Sequence, residues 1–287
     1  MRWQRAVAGG KIANGKVVEG MKVRTAPARL AWWAALALCS RAGAQPLGAE
    51  QASLLEQARA AAMRYADSLP DFLCTETVWR EVDQRGTNNW RLMDTLTVRL
   101  SYSGHRENYK LMEIDGKPTP LGYEEAGGVV STGEFGTTLY SIFDPRSKGE
   151  FRWKGWTTMR ERRAARFTYR IAREDSIYVV RWGRNGPGQK SVVVGYHGEV
   201  DVDEETHLVL RLTLEAEIPG GFPIDGNDCT VEYAFAEVAG KRYLLPAHAR
   251  VMTRSGRLVS RNSVEFREYR KFQADTTIIF EAPPEKR

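Results

Sequence analysis

The sequence is poor in the residues and motifs that carry most enzyme chemistry. It has three cysteines and four histidines. His105, His197, His207 and His248 form no pair at a spacing of four and no HExxH motif, so the common helical zinc site is absent. Structural or solvent-facing roles are expected for them. There is no GxSxG elbow to present a serine nucleophile, and no GxxxxGK[ST] loop to cradle phosphates. The glycine-rich run Gly183–Gly188 separates two apolar runs, with no helix after it whose N-terminus would bind an anion. The densest acidic run, Asp201-Val202-Asp203-Glu204-Glu205, lacks the central glycine and distal glutamate of an EF-hand loop. It reads as a solvated hairpin tip.

Long apolar runs are missing too. The longest is ten residues, Leu30 to Cys39, about half of what a helix needs to cross a bilayer of ~30 Å. Before it stands the basic stretch Met21–Arg29, and after it Ala42-Gly43-Ala44. This is the layout of a secretory signal peptide cleaved before Gln45. Residues 1–20 have no role in that scheme and read as the product of an upstream start codon. Lipidation at Cys39 is the rival reading, although Leu38 stands where a small residue is expected. No transmembrane helix is expected in the mature chain.

The formal charge of +6 belongs to the same segment. Removing the eight basic residues and one acid of residues 1–44 leaves 34 basic and 35 acidic residues. The body is close to neutral, which argues against a nucleic-acid partner. After cleavage only Cys74 and Cys229 remain. In an oxidising compartment they either form one disulfide or stay as two separate buried thiols. Cys74 has no sequence-local partner that would lower its pKa for nucleophilic work. No cofactor, metal or catalytic residue is assigned, and the chain is not expected to be an enzyme.

What is present is alternation. Residues from Ala49 to about Leu69 read as a helix, with Leu54, Ala58, Ala62, Tyr65 and Leu69 on one stripe and Pro70 as its stop. Period-two patterns come after it. Phe72, Cys74, Glu76 and Val78 share a face, as do Leu96, Val98, Leu100 and Tyr102; Phe167, Tyr169 and Ile171; Leu208 to Ala216; Val231, Tyr233 and Phe235; and Val264 and Phe266. Turns are expected at Gly183–Gly188, Asp203–Thr206, Ala239-Gly240 and Ser255-Gly256. This describes a mostly antiparallel α+β fold of about 10–12 short strands, with residues 45–287 as one domain behind the 1–44 leader.

One helix interrupts the strands. Ser131-Thr132-Gly133-Glu134 begins like a capping box, Phe135, Leu139, Ile142 and Phe143 form an apolar stripe, and Asp144-Pro145 ends it. Such a helix must cover something apolar. Shortly after it comes Arg152-Trp153-Lys154-Gly155-Trp156, and tryptophan suits the rim of an apolar mouth as well as a β core.

The order of leader, helix, strands, short helix and further strands resembles the superfamily of periplasmic lipoprotein carriers, LolA and LolB, with the related sensor domain RseB. The stretch Gly195–Arg211 is similar to its strand ending in a V/I-D-x-x-T turn, succeeded by a returning strand with an outward arginine. Leu69–Thr77 and Val264–Phe272 resemble segments of secreted bacterial proteins of this layout. The resemblance implies an unclosed half-barrel, a curved sheet whose concave apolar side is covered by helices. It also implies a periplasmic binding protein, with a lipid, acyl chain or lipoprotein as ligand. Phe135, Leu139, Phe143, Trp153 and Trp156 are then the residues expected to line or cover the site. The alternative is an envelope interaction or sensor module with a filled core and a protein partner at a sheet edge.

Overall fold

The computed structural model describes residues 47–272 apart from 105, 129–135 and 184–187. The leader, Cys39, His105, Phe135 and the capping box at Ser131 lie outside the described residues. Helix α1 spans Ala49–Ser68. It buries Leu54, Leu55, Ala58, Ala62 and Tyr65, the expected stripe with Leu55 added. The second helix, α2, covers Thr137–Phe143 and buries Leu139, Ile142 and Phe143. Its N-cap is Gly136 and makes no side-chain capping bond.

The strands are β1 (Phe72–Asp83), β2 (Arg91–Ser103), β3 (Arg106–Ile114), β4 (Lys117–Pro118), β5 (Glu150–Met159), β6 (Arg162–Ile171), β7 (Val179–Trp182), β8 (Lys190–Val193), β9 (Tyr196–Asp203), β10 (Val209–Ala216), β11 (Gly226–Val238), β12 (Lys241–Ser255) and β13 (Leu258–Lys271). Eleven of them make one curved sheet in the order β4-β3-β2-β1-β13-β12-β11-β10-β9-β6-β5. Every neighbouring pair is antiparallel. The end strands β4 and β5 are not paired with each other, so the sheet is open. The apolar runs on either side of Gly183–Gly188 do not join it. They form a separate two-stranded hairpin, β7–β8.

Because successive side chains point to opposite faces, each alternating run delivers one buried row. Phe72, Cys74, Glu76 and Val78 are buried on the inner face of β1 beside Leu96, Val98, Leu100 and Tyr102 of β2. On β10, Leu210, Leu212, Leu214 and Ala216 are buried as expected, and a register shift after Val209 buries that residue as well. Helix α1 lies against this inner face. The Tyr65 hydroxyl donates to the Leu244 carbonyl at 2.7 Å, and its ring meets Tyr233 edge-on at 6.1 Å.

One open alternative is decided and one expectation is corrected. Cys74 on β1 and Cys229 on β11 are not bonded to each other. β13 and β12 stand between their strands, and three spacings of ~4.8 Å place the backbones about 14 Å apart, twice the reach of a disulfide. The run Asp201–Glu205 is not simply a solvated tip. Glu204 and Glu205 lie in the turn, but the Asp201 side chain is fully buried and that of Asp203 nearly so. Arg166 and Arg211 hold Asp201 from the two flanking strands, and Arg162 holds Asp203.

Candidate functional site

β4 and β5 are consecutive in the chain and sit at opposite edges of the sheet, and α2 lies in the connection between them. Arg80 clasps the early part of this connection. Its guanidinium forks onto Asp94 and reaches the carbonyls of Ala126 and Gly127. Farther along the chain, α2 packs on the β5–β6–β9 end of the inner face.

There α2 meets a continuous aromatic track. Phe143 stacks on Phe151 of β5, with ring centroids 5.3 Å apart. Phe151 is tilted against Tyr169 of β6 at 6.0 Å, and Tyr169 meets Tyr196 of β9 edge-on at 6.1 Å. The Tyr196 hydroxyl donates to Ser141 of α2 at 3.2 Å. Such ring pairs add roughly 0.5–1.5 kcal/mol each beyond the area they bury. Burial raises the Tyr169 and Tyr196 phenols above their ordinary range, so both rings act here as neutral groups. Helix α1 ties the other side. Arg59 donates to the Phe143 carbonyl at 2.9 Å, satisfying the C-terminal end of α2, and its guanidinium lies 5.7 Å from the centre of the Phe151 ring.

Leu139 and Phe143 sit inside this cluster, packed on the sheet. Trp153 lies farther along β5, half-buried, and meets Phe167 and Trp156 edge-on, each at 5.3 Å. The register shift between Trp153 and Gly155 turns both tryptophans to the inner side. Trp156 is 37 % exposed and lies under the Arg163 guanidinium, 3.8 Å from its ring centre. The described residues therefore form one strip, from α2 along β5 to an open rim at Trp156. Phe151, Tyr169 and Tyr196 belong to this strip and were not expected as site residues. Phe151 continues the alternation of Trp153 by two residues, and that was the available signal. The membership of Tyr196 depends on strand order, which periodicity does not give.

In the form described, α2 fills the space. Leu139, Ile142 and Phe143 lie among Phe151, Ile171 and the tyrosines with almost no exposed surface. The cavity of about 560 Å³ lies on the other side of the same strands. Its walls include Arg152, Arg170, His197, Glu199, Glu215 and Asp228. It forms where the β9–β10 ladder opens beside Gly198. The Glu199 amide donates to the Thr213 hydroxyl there, while the Tyr169 hydroxyl donates to the Thr213 carbonyl. A Cβ at Gly198 would fall 1.9 Å from that carbonyl oxygen, so glycine is required for this close approach. Burial and the facing Glu215 raise the Asp228 carboxyl above its usual range.

Burial, with Glu76 beside it, pushes the Cys74 thiol well up, the opposite of what a thiolate nucleophile needs. Among the described residues no group of three or more His, Cys, Asp or Glu is placed to hold a metal ion. No described helix is long and apolar enough to cross a membrane.

No protein-family profile and no curated protein matches the chain. Among solved structures it is similar to a LolA superfamily protein from Nitrosomonas europaea, with 10 % identity, 77 % of this chain and 93 % of that chain covered, and a TM-score of 0.32. It is also similar to a DUF1329 family protein from Desulfovibrio piger, with 8 % identity, 80 % and 96 % covered, and a TM-score of 0.36. The superfamily named by the sequence resemblance thus recurs among the structural neighbours. The likeness is distant, and only this chain's own residues bear on what it binds.

Proposed function

We propose that the chain is an exported, non-enzymatic binding protein of the bacterial envelope that holds an acyl chain, of a lipid or of a lipoprotein, between the inner sheet face and α2. One observation carries the reading. The inner face at β5, β6 and β9 is covered by three apolar side chains of a seven-residue helix. That cover is small enough for a ligand to replace. Exposing Leu139, Ile142 and Phe143 costs about 5–9 kcal/mol, at ~1.5–3 kcal/mol per side chain. An acyl chain gains ~0.8 kcal/mol per buried methylene, so roughly twelve methylenes offset the loss. Common fatty acyl chains exceed that length. The leader-like segment and the neutral body support a periplasmic setting. Trp153 and Trp156 stand at the rim where a ligand would enter.

The test is native mass spectrometry of protein purified from an envelope fraction, with subsequent titration by lysophospholipid. A stoichiometric acyl species is expected, reduced at least tenfold in Phe151→Asp and retained in Trp79→Phe, a change on β1 on the side opposite Val78. An empty protein whose melting temperature ignores added lipid would sink the reading. The second reading, an interaction module with a filled core, is favoured by the packing of the inner face as described and by the open β5 edge with its exposed Trp156. It would take over in that case.

A further inference from the structure

The cavity of about 560 Å³ on the outer face has no part in the inner site. Strand pairing sets its walls in rows. Glu150, Arg170, His197, Glu215 and Asp228 stand directly opposite one another from β5 to β11. Residues paired in this way share a face and neighbour one another. Two residues along, Arg152 is opposite Thr168, Thr168 is opposite Glu199, and Thr213 is opposite Thr230. Short hydroxyl side chains thus line the cavity beside a charged row.

The gap in the β9–β10 ladder lies among these threonines and is built into the fold. Between the pairs Leu212–Val200 and Glu215–His197, no residue of β10 is matched with β9. The Tyr169 hydroxyl donates to the Thr213 carbonyl at 2.7 Å, and the Glu199 amide donates to the Thr213 hydroxyl at 2.9 Å. Groups released from the ladder therefore stay paired.

The two ends of the trough carry charges that the outer face leaves uncommitted. Elsewhere on it arginines hold the carboxylates, as Arg166 and Arg211 hold Asp201 and Arg170 holds Glu217. Glu215 and Asp228 instead face each other across β10 and β11, which costs stability when both are charged. Glu215 meets the His197 Nε2 at 3.5 Å. Asp228 makes no hydrogen bond or ion pair among the described residues. Arg254, His197 and Arg250 pull its carboxyl down without offsetting burial and Glu215. At the other end Arg152 reaches Glu150 at 4.0 Å, with both side chains largely exposed. The Thr168 and Thr230 hydroxyls make no hydrogen bond among the described residues.

We infer that this outer trough binds a short peptide with free termini, its amine at Glu215 and Asp228 and its carboxylate at Arg152. A carboxylate matches the planar guanidinium fork, and an ammonium group relieves the repulsion between two facing acids. The spacing sets the length. Arg152 lies three strands from Glu215 and four from Asp228, about 14–19 Å at ~4.8 Å per spacing. An extended chain covers this with roughly four or five residues at ~3.3–3.6 Å each. Between the ends, hydroxyls that both donate and accept suit the alternating N–H and C=O groups of a peptide. A bare cation would leave Arg152 and the threonines unused. Binding here does not depend on what the inner face holds.

The test titrates the full-length protein with tetraalanine by isothermal titration calorimetry, beside its N-acetylated and C-amidated forms. One equivalent of tetraalanine is expected to bind, and either cap should weaken it roughly tenfold or more. Glu215→Gln with Asp228→Asn should weaken the free peptide by a similar factor and leave the acetylated one unchanged. Arg152→Gln should weaken the free peptide and leave the amidated one unchanged. All three positions are exposed, and unchanged melting curves will show that the fold is intact. No binding of tetraalanine, or equal binding of its capped forms, overturns the inference. So do variants that leave the free peptide untouched or weaken free and capped peptides alike.

Discussion

The two faces of strands β6, β9 and β10 are built on different physics. On the inner side Phe167, Val200, Val202 and Leu212 are buried by contact alone. On the outer side Arg166, Asp201 and Arg211 lie directly opposite one another across the three strands. Asp201 receives Arg166 Nε at 2.6 Å and Arg211 Nε at 2.7 Å, with a fully buried side chain. Apolar contact tolerates exchange of one hydrocarbon for another of similar volume. A forked arginine–carboxylate pair tolerates almost no displacement. A slip of one residue in β9 would turn Asp201 to the core and Val200 to solvent. The outer triad therefore fixes the register of the strands whose inner face is proposed to exchange its contacts with a ligand.

Breaking each face once tests this contrast. Phe143→Ala removes a buried ring stacked on Phe151 and should cost about 3–5 kcal/mol, read as a lower denaturant midpoint. A cost below about 1 kcal/mol would mean that α2 is not part of the packed core. Asp201→Ala leaves two guanidinium groups facing each other beside a void, and should also cost about 3–5 kcal/mol. The faces should diverge on replacement. Arg166→Leu, Asp201→Leu and Arg211→Met together should restore most of the stability while loosening the register. That loosening is measured by amide exchange along β9.

The inner face was largely legible in the sequence, and the outer one was not. Alternation of Leu96, Val98 and Leu100, or of Phe167 and Tyr169, is local, and a strand's buried side can be read from it without knowing its neighbours. The α1 stripe and the α2 stripe over Leu139, Ile142 and Phe143 are read in the same way. The roles of Asp201 and Arg166 depend on which strands lie side by side, and they are 35 residues apart. The same holds for the cysteines. Two thiols look like a pair until the strand order places β13 and β12 between them. The hairpin β7–β8 was visible as two apolar runs around a glycine-rich turn, but its separation from the main sheet was not. Periodicity says which face is buried and nothing about which sheet buries it.

A smaller effect probes the turn that ends the outer row. Burial works against the charge of Asp203, but Arg162 together with the Thr206 hydroxyl and amide more than offsets it, holding the carboxyl down at about 2. A carboxyl that is lower in the folded chain stabilises the fold above its unfolded value and stops doing so as it becomes protonated. The contribution is therefore complete above about pH 4 and disappears as the pH falls through about 2. Solvent near the exposed Glu205 screens the pair, so about 1–2 kcal/mol is expected. The gap in denaturant midpoint between the parent chain and Asp203→Asn should be narrower at about pH 2.5 than at pH 6. A constant gap between them would show that the charge of Asp203 does not matter to the turn.

The smallest effect should come where the inner strip reaches solvent at its rim. Arg163 pairs with Glu204 and covers the Trp156 ring, yet its own side chain is more than half exposed. Exposed pairs contribute about 0–1 kcal/mol because water already solvates both partners. A double-mutant cycle on Arg163→Ala and Glu204→Ala should give a coupling below about 1 kcal/mol, shrinking further at high salt. Arg163→Ala should still uncover Trp156, which is read as quenching of its fluorescence by acrylamide. A coupling as large as that of the Asp201 triad would mean that the rim is as rigid as the register it borders, and a ligand would then have no pliable entrance beside the tryptophans.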